Sequence, residues 1–98
     1  MIKKTPSWLA IAGDRVTVTL TRPSEANGVQ VDKLNLRAPT VRDMRTAHQT
    51  GGADDEQREM NLFASLAEVS TKDLEGLTLK DYTRLQTGYF RLVQEDEL

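Results

Sequence analysis

Leu34-Asn35-Leu36-Arg37-Ala38-Pro39-Thr40-Val41-Arg42-Asp43 is the stretch on which the reading of the fold turns. Leu34 and Leu36 alternate with polar neighbours, as one face of a half-buried strand does. Pro39 offers no N–H to a ladder and biases Ala38 away from the helical region, so the strand ends here. Thr40 with Asp43 three residues on is a capping-box-like helix start. The hydroxyl can accept from the third backbone N–H, and the carboxylate can reach back. The negative charge of Asp43 also suits the positive helix end. The chain before this junction reads as β-structure, and the chain after it reads as helix.

Working back from the junction, Val29 to Arg37 is a strand with a phase error. Val29 and Val31 share one parity, whereas Leu34 and Leu36 share the other. A strict period of two cannot bury both pairs on one face, so a β-bulge near Asp32-Lys33 is expected, the alternative being a twisted ribbon with both faces partly covered. Pro23 and Asn27-Gly28 make Arg22 to Gly28 a loop rather than a two-residue hairpin turn. From Arg15, Val16, Val18 and Leu20 point one way while Thr17, Thr19 and Thr21 point the other, which is a strand. Trp8 to Ala12 is apolar without clear period, either an edge strand or an arm on the core, and Gly13-Asp14 is a turn.

Working forward, helix starts recur. Thr40 opens a short helix with Val41, Met44 and Ala47 on one face, ended by Thr50-Gly51-Gly52. Asp54, with Gln57 in the capping-box position, opens a second that carries Met60, Phe63, Leu66 and Ala67, broadened by Leu62 and Val69. Ser70 with Asp73 caps a brief turn stopped by Gly76, and Thr78 with Asp81 caps the last helix. That helix has a heptad-like seam of Tyr82, Leu85, Tyr89 and Leu92, extended by Leu79 and Val93 and read as a core face. Glu95-Asp96-Glu97 puts negative charge at its negative end, so its last turn should fray.

The expected fold is therefore α+β: an N-terminal antiparallel β-hairpin, joined by a third strand if the arm pairs, followed by three to four helices packed on it. Residues 1–13 form the arm and 14–98 a single domain, with the hairpin over 14–37 and the helical part over 40–95. Val16, Val18, Leu20, Leu34, Leu36, Met44, Phe63, Leu66, Leu74, Leu77, Tyr82, Leu85 and Leu92 are the expected core.

Composition narrows the function classes. The 98 residues carry 13 basic and 15 acidic side chains, a net charge of −2 with both signs interspersed. That argues against a dedicated polyanion-binding surface. No cysteine is present, so neither a disulfide framework nor a thiolate metal site is available. The apolar stretch after Met1-Ile2-Lys3-Lys4 is shorter than a signal-peptide core and is approached through Pro6, and nothing nears the length of a membrane span. A soluble cytoplasmic protein is the expectation.

No enzyme signature emerges. His48 is the sole histidine and reads as a solvated helix-end residue; no serine has a G-x-S-x-G context. Gly51-Gly52 lacks the Lys-Ser/Thr of a phosphate loop. The acids Asp54-Asp55-Glu56 are explained by helix-start chemistry without a metal. Catalytic, cofactor and metal residues are all expected to be none. Ser70 to Leu92 has a helix–turn–helix layout with Lys80, Arg84 and Arg91, but Asp81 and the acidic tail offset those charges. Arg37, Arg42 and Arg45 have no aromatic interleaving to stack bases, so no nucleic acid is expected as a partner.

Protein–protein contact remains. Trp8, Leu9 and Ile11 are apolar and not assigned to the core. Tyr89 and Phe90 are consecutive, so one of them faces outward. Trp8, Leu9, Ile11, Phe90 and Val93 are the candidate partner-binding residues, since aromatic anchors are favoured at interfaces.

The ordered combination Val16-Thr17-Val18-Thr19-Leu20, Arg22-Pro23, Gly28-Val29 and Leu34 to Asp43, with Asn61-Leu62-Phe63-Ala64-Ser65-Leu66, Leu77, Asp81-Tyr82 and Phe90 after it, resembles the small tail assembly chaperones of Mu-like and other contractile-tailed phages and prophages. The resemblance runs from Val16 to Val93. It implies a non-enzymatic protein that holds the phage tape-measure protein while the tail tube polymerises, with the tail tube protein as a further partner. It also implies action in the host cell cytoplasm and absence from the mature virion. A longer frameshifted form occurs in many such proteins. The alternatives are a structural tail or head–tail component retained in the virion and, third, a small nucleic-acid-binding regulator. Open strand edges make a homo-oligomer a further expectation.

Overall fold

At the strand–helix junction the expected capping box forms. The Asp43 N–H donates to the Thr40 hydroxyl (3.1 Å), and the Thr40 N–H donates to Asp43 Oδ2 (2.8 Å). The structure, a computed structural model, describes residues 5–52 and 54–94. It is a three-stranded antiparallel sheet in the order β1-β2-β3, followed by four helices. The strands are β1 (Leu9–Ala12), β2 (Arg15–Ala26) and β3 (Val29–Arg37); the helices are α1 (Val41–Gly51), α2 (Asp55–Ala67), α3 (Thr71–Glu75) and α4 (Leu79–Val93). This is the α+β fold expected, with the third strand present. The expectations for Met1 to Lys4 and for a frayed end at Glu95 to Glu97 lie outside the described residues.

β1 is an edge strand rather than an unpaired arm, with Leu9 opposite Val18 and Ile11 opposite Val16. The β2–β3 connection is tighter than expected. Ala26 pairs with Val29, so Asn27-Gly28 is a two-residue turn. Both residues have positive φ (56° and 80°), the requirement of a type I′ hairpin. The Asn27 N–H donates to Asp73 Oδ2 (3.1 Å) and its side-chain amide donates to the Glu68 carbonyl (3.1 Å). The hairpin tip is thereby tied to the C-cap of α2 and to α3.

The phase error in β3 is real, but the extra residues lie on β2. Thr19 pairs with Lys33 and Ser24 with Val31, so Leu20 to Pro23 stand opposite Asp32 alone. Pro23, which cannot donate to a ladder, sits in this irregular stretch. The freed backbone finds partners on α4: the Thr21 N–H and hydroxyl donate to Asp81 Oδ1 (2.7 Å) and Oδ2 (3.0 Å), and Arg84 Nη1 donates to the Thr19 carbonyl (2.7 Å). Asp81 is 1% exposed. Its N–H donates to the Thr78 hydroxyl, so the N-cap forms while the carboxylate is turned to the sheet.

One face of the sheet, with Leu9, Val16, Val18, Leu20, Leu34 and Leu36, is buried against Phe63, Leu66, Leu74 and Leu85. Of the expected core, Leu77, Tyr82 and Leu92 pack at its margin. Met44 does not belong to it. Both Met44 and Val41 are exposed, and α1 buries only Ala47. Leu79 and Val93 also leave the seam assigned to them and face outward. Buried Gly88 lets α4 lie close on the sheet, since a Cβ there would stand 3.2–3.3 Å from the methyls of Val18 and Val16.

Two stability predictions come from these contacts. Asp81→Ala takes the acceptor from both the Thr21 N–H and the Thr21 hydroxyl and is expected to cost about 1–3 kcal/mol, whereas Thr21→Val, which removes only the hydroxyl, costs about 1 kcal/mol or less. Urea unfolding of both variants checks the ranking.

The second concerns acid. Arg37 donates to both oxygens of Asp43 (2.7 and 3.0 Å). With the Thr40 N–H, this holds the Asp43 carboxyl well below the usual carboxylate range. A carboxylate depressed on folding stabilises fully above its unfolded value, about 3.9, and the stabilisation is lost as pH falls toward the folded value. Asp73, lowered by the N–H groups of Asn27 and Ser70, acts with the same sign. Stability is thus expected to decline as pH drops below about 5, less steeply in Asp43→Asn. Urea midpoints from pH 7 to pH 2.5 measure it.

Candidate functional site

The candidate site follows from how α4 is docked. At about 100° per residue, Gly88 points to the sheet and Leu79, Phe90 and Val93 fall within an arc of about 60° on the opposite side. Their exposures are 81%, 67% and 46%, so apolar side chains stand uncovered at the start of the helix and near its end, with the polar Thr83 and Gln86 on the same side between them. Tyr89, the neighbour of Phe90, turns inward instead. Its ring centroid is 5.2 Å from that of Phe63, and that of Tyr82 lies 5.6 Å from Phe63 on the other side. One of the consecutive aromatics does face outward, and it is Phe90.

Beside these side chains runs the seam between α2 and α4, which holds two depressions. The larger, about 440 Å³, has a floor of Met60, Leu74 and Leu77 and an outer wall of Leu79, with Glu56 and Glu75 at its rim. The smaller, about 230 Å³, lies between α1, α2 and α4 and includes Met44, Leu62, Phe63 and Tyr89. Glu59 belongs to both. Its Oε1 accepts from the Tyr82 hydroxyl (2.8 Å) and from Gln86 Nε2 (3.0 Å), which fixes the carboxylate at the wall between them. Burial first, and then the bond to Glu59, raises the Tyr82 phenol above its ordinary range, so it stays a neutral donor.

The other residues expected to touch a partner are placed differently. Leu9 is 4% exposed and forms part of the core. Ile11 lies at the sheet edge, 44% exposed. Trp8 is half-buried beneath the Arg84 guanidinium, 4.8 Å from its ring centroid. Trp8 and Arg84 lie on the flank of α4 near β1, so the Trp8–Ile11 stretch and the Phe90–Val93 pair are separate surfaces. The groove itself was missed by sequence reasoning because it is built from three helices. No local signal pointed to it, since Leu79 reads as part of the core seam and the acids at the start of α2 read as helix-start chemistry.

Three of the six cations weighed for nucleic-acid contact have partners within the fold. Arg37 is paired with Asp43, Arg84 binds the Thr19 carbonyl, and Arg91 donates to the Thr5 hydroxyl (3.3 Å). Arg42 and Arg45 flank a shallow depression on α1 with Val41 and Thr46. Among the described residues, no group of three or more His, Cys, Asp or Glu side chains is placed to hold a metal ion, and no helix is long and apolar enough to cross a membrane.

Comparison with known families finds a match to the family described as phage tail assembly chaperone proteins, E, or 41 or 14, over residues 17–94. No curated protein and no solved structure matches.

Exposed apolar side chains on a helix that is docked by its other face should be dispensable for folding. Leu79→Ser and Phe90→Ser, singly and together, are expected to shift the thermal midpoint by no more than about 2 °C per substitution. Circular-dichroism melts test this. A large drop would mean that these side chains are packed in the folded protein.

Proposed function

Since the chain belongs to the family of phage tail assembly chaperone proteins, we propose that it works without catalysis, binding the tape-measure protein of its phage while the tail tube is assembled around that client. The observation that carries the reading is the set of uncovered apolar side chains on the outer side of α4, Leu79 at the lip of the groove and Phe90 and Val93 further along the helix. A chaperone for a long helical client needs apolar anchor sites rather than a chemical centre, and helix-in-groove docking uses anchors at i, i+3 or i+4, and i+7. It must also release its client. Several contacts of moderate strength allow that better than one buried ion pair, because affinity is set largely by the rate of leaving.

In this reading Phe90 and Val93 touch the client first, Ile11 and Trp8 form a secondary contact, and the protein acts in the host cell and leaves before the particle is complete. The tail tube protein is a second partner, and homo-oligomerisation through the open strand edges is part of the same proposal.

The test is co-expression with the tape-measure protein, followed by affinity purification and light scattering. A soluble complex is expected from the wild type, with the tape measure insoluble alone. The triple variant Leu79→Ser/Phe90→Ser/Val93→Ser is expected to fold and fail to hold it. A tape measure that is soluble by itself with no complex recovered would overturn the reading, and so would a triple variant that holds it as well as the wild type.

A further inference from the structure

The α2–α4 groove is acidic as well as apolar. Glu56, Glu59 and Glu75 line the larger depression with Met60, Leu77 and Leu79, and no Lys or Arg side chain does so. In the smaller one, Arg58 is already committed: Nη1 pairs with Asp55 (3.0 Å) and Nε donates to the Gly52 carbonyl (2.8 Å). A purely apolar helix laid here would cover three carboxylates with no counter-charge, and an acidic one would add repulsion. A partner with cations beside its apolar face removes both penalties. Lys and Arg stems can cover the apolar rim while their heads reach the carboxylates.

We infer that the groove is a docking site for an amphipathic helix whose apolar anchors are flanked by Lys or Arg. The exposed apolar anchors of α4 run from Leu79 to Val93, a rise of about 21 Å or about four helical turns, so a segment that reaches all of them is about 14 residues long. The acidic rim steers it in and sets its orientation, while the apolar anchors and the floor of the groove hold it. The inference rests on the chaperone reading for who supplies the helix, but not for the chemistry of the site.

The probe is a pair of labelled peptides of about 18 residues, one an amphipathic helix of Leu and Lys, the other with Glu in place of every Lys. Binding is read by fluorescence anisotropy at low and at physiological salt. The Leu/Lys helix is expected to bind, more weakly as salt rises, and the Leu/Glu helix is not. Glu56→Lys/Glu75→Lys should weaken binding about tenfold or more, with Glu56→Gln/Glu75→Gln intermediate, and Leu79→Ser should weaken it at every salt concentration. Asp14→Lys/Asp32→Lys makes the same change in net charge away from the groove and should alter binding by less than about twofold.

Equal binding of the two peptides would overturn the inference, as would equal losses in the groove and remote reversals. The two claims fail separately. Peptide selectivity that depends on Glu56 and Glu75, without capture of a tape measure, leaves the groove chemistry standing and removes the client. Capture that ignores both glutamates does the reverse.

Discussion

The Asp81 carboxylate fixes the relation between the two halves of this protein. Four residues of β2 stand opposite one residue of β3, and a ladder so interrupted leaves backbone donors and acceptors without partners on the neighbouring strand. Asp81, in the first turn of α4, accepts the Thr21 N–H and hydroxyl, and Arg84, one turn later, donates to the Thr19 carbonyl. The helix N-terminus is a favourable place for that charge, since the macrodipole and the neighbouring N–H groups stabilise it. The cost of burying a carboxylate is offset locally, and α4 is held to one position on the sheet.

The exposed surface follows from that placement. With Asp81, Leu85 and Gly88 turned to the sheet, the helical period leaves Leu79, Phe90 and Val93 on the outside. Tyr82 and Tyr89 are directed sideways onto Phe63. The Tyr82–Glu59–Gln86 hydrogen bonds then fix the floor and wall between α2 and α4. The groove is a by-product of docking a two-faced helix by one face, and a family whose work is to hold a protein partner has a use for such a surface.

Sequence reading succeeded where the signal is local. The strand end at Pro39, the Thr40–Asp43 capping box, the alternation in β2 and the inward–outward split of Tyr89 and Phe90 all rest on neighbours within a few residues. The resemblance drawn from Val16 to Val93 agrees with the family match over residues 17–94. It failed where the answer lies across the fold. Nothing beside Asp81 in the chain says that its carboxylate goes to a strand 60 residues away, so it read as a cap alone. Pro23 made the end of β2 look like loop, because its missing N–H is compatible with a strand only at an irregularity supported by another element. Val41 and Met44 have core spacing, yet α1 is held by the Arg37–Asp43 pair and by Ala47, which leaves them outside. Leu9 read as surface because a four-residue edge strand has too little pattern to show which side it buries.

The central claim is that the client lies along α4 and the α2–α4 groove rather than on the sheet. The most direct measurement is amide hydrogen exchange of the protein alone and in complex with the tape-measure protein. Slower exchange in residues 55–67 and 79–93 on binding, with β2 and β3 unchanged, is the predicted result. Protection confined to β3 or to residues 8–12, with α4 unaffected, would contradict it and move the contact to the sheet edges.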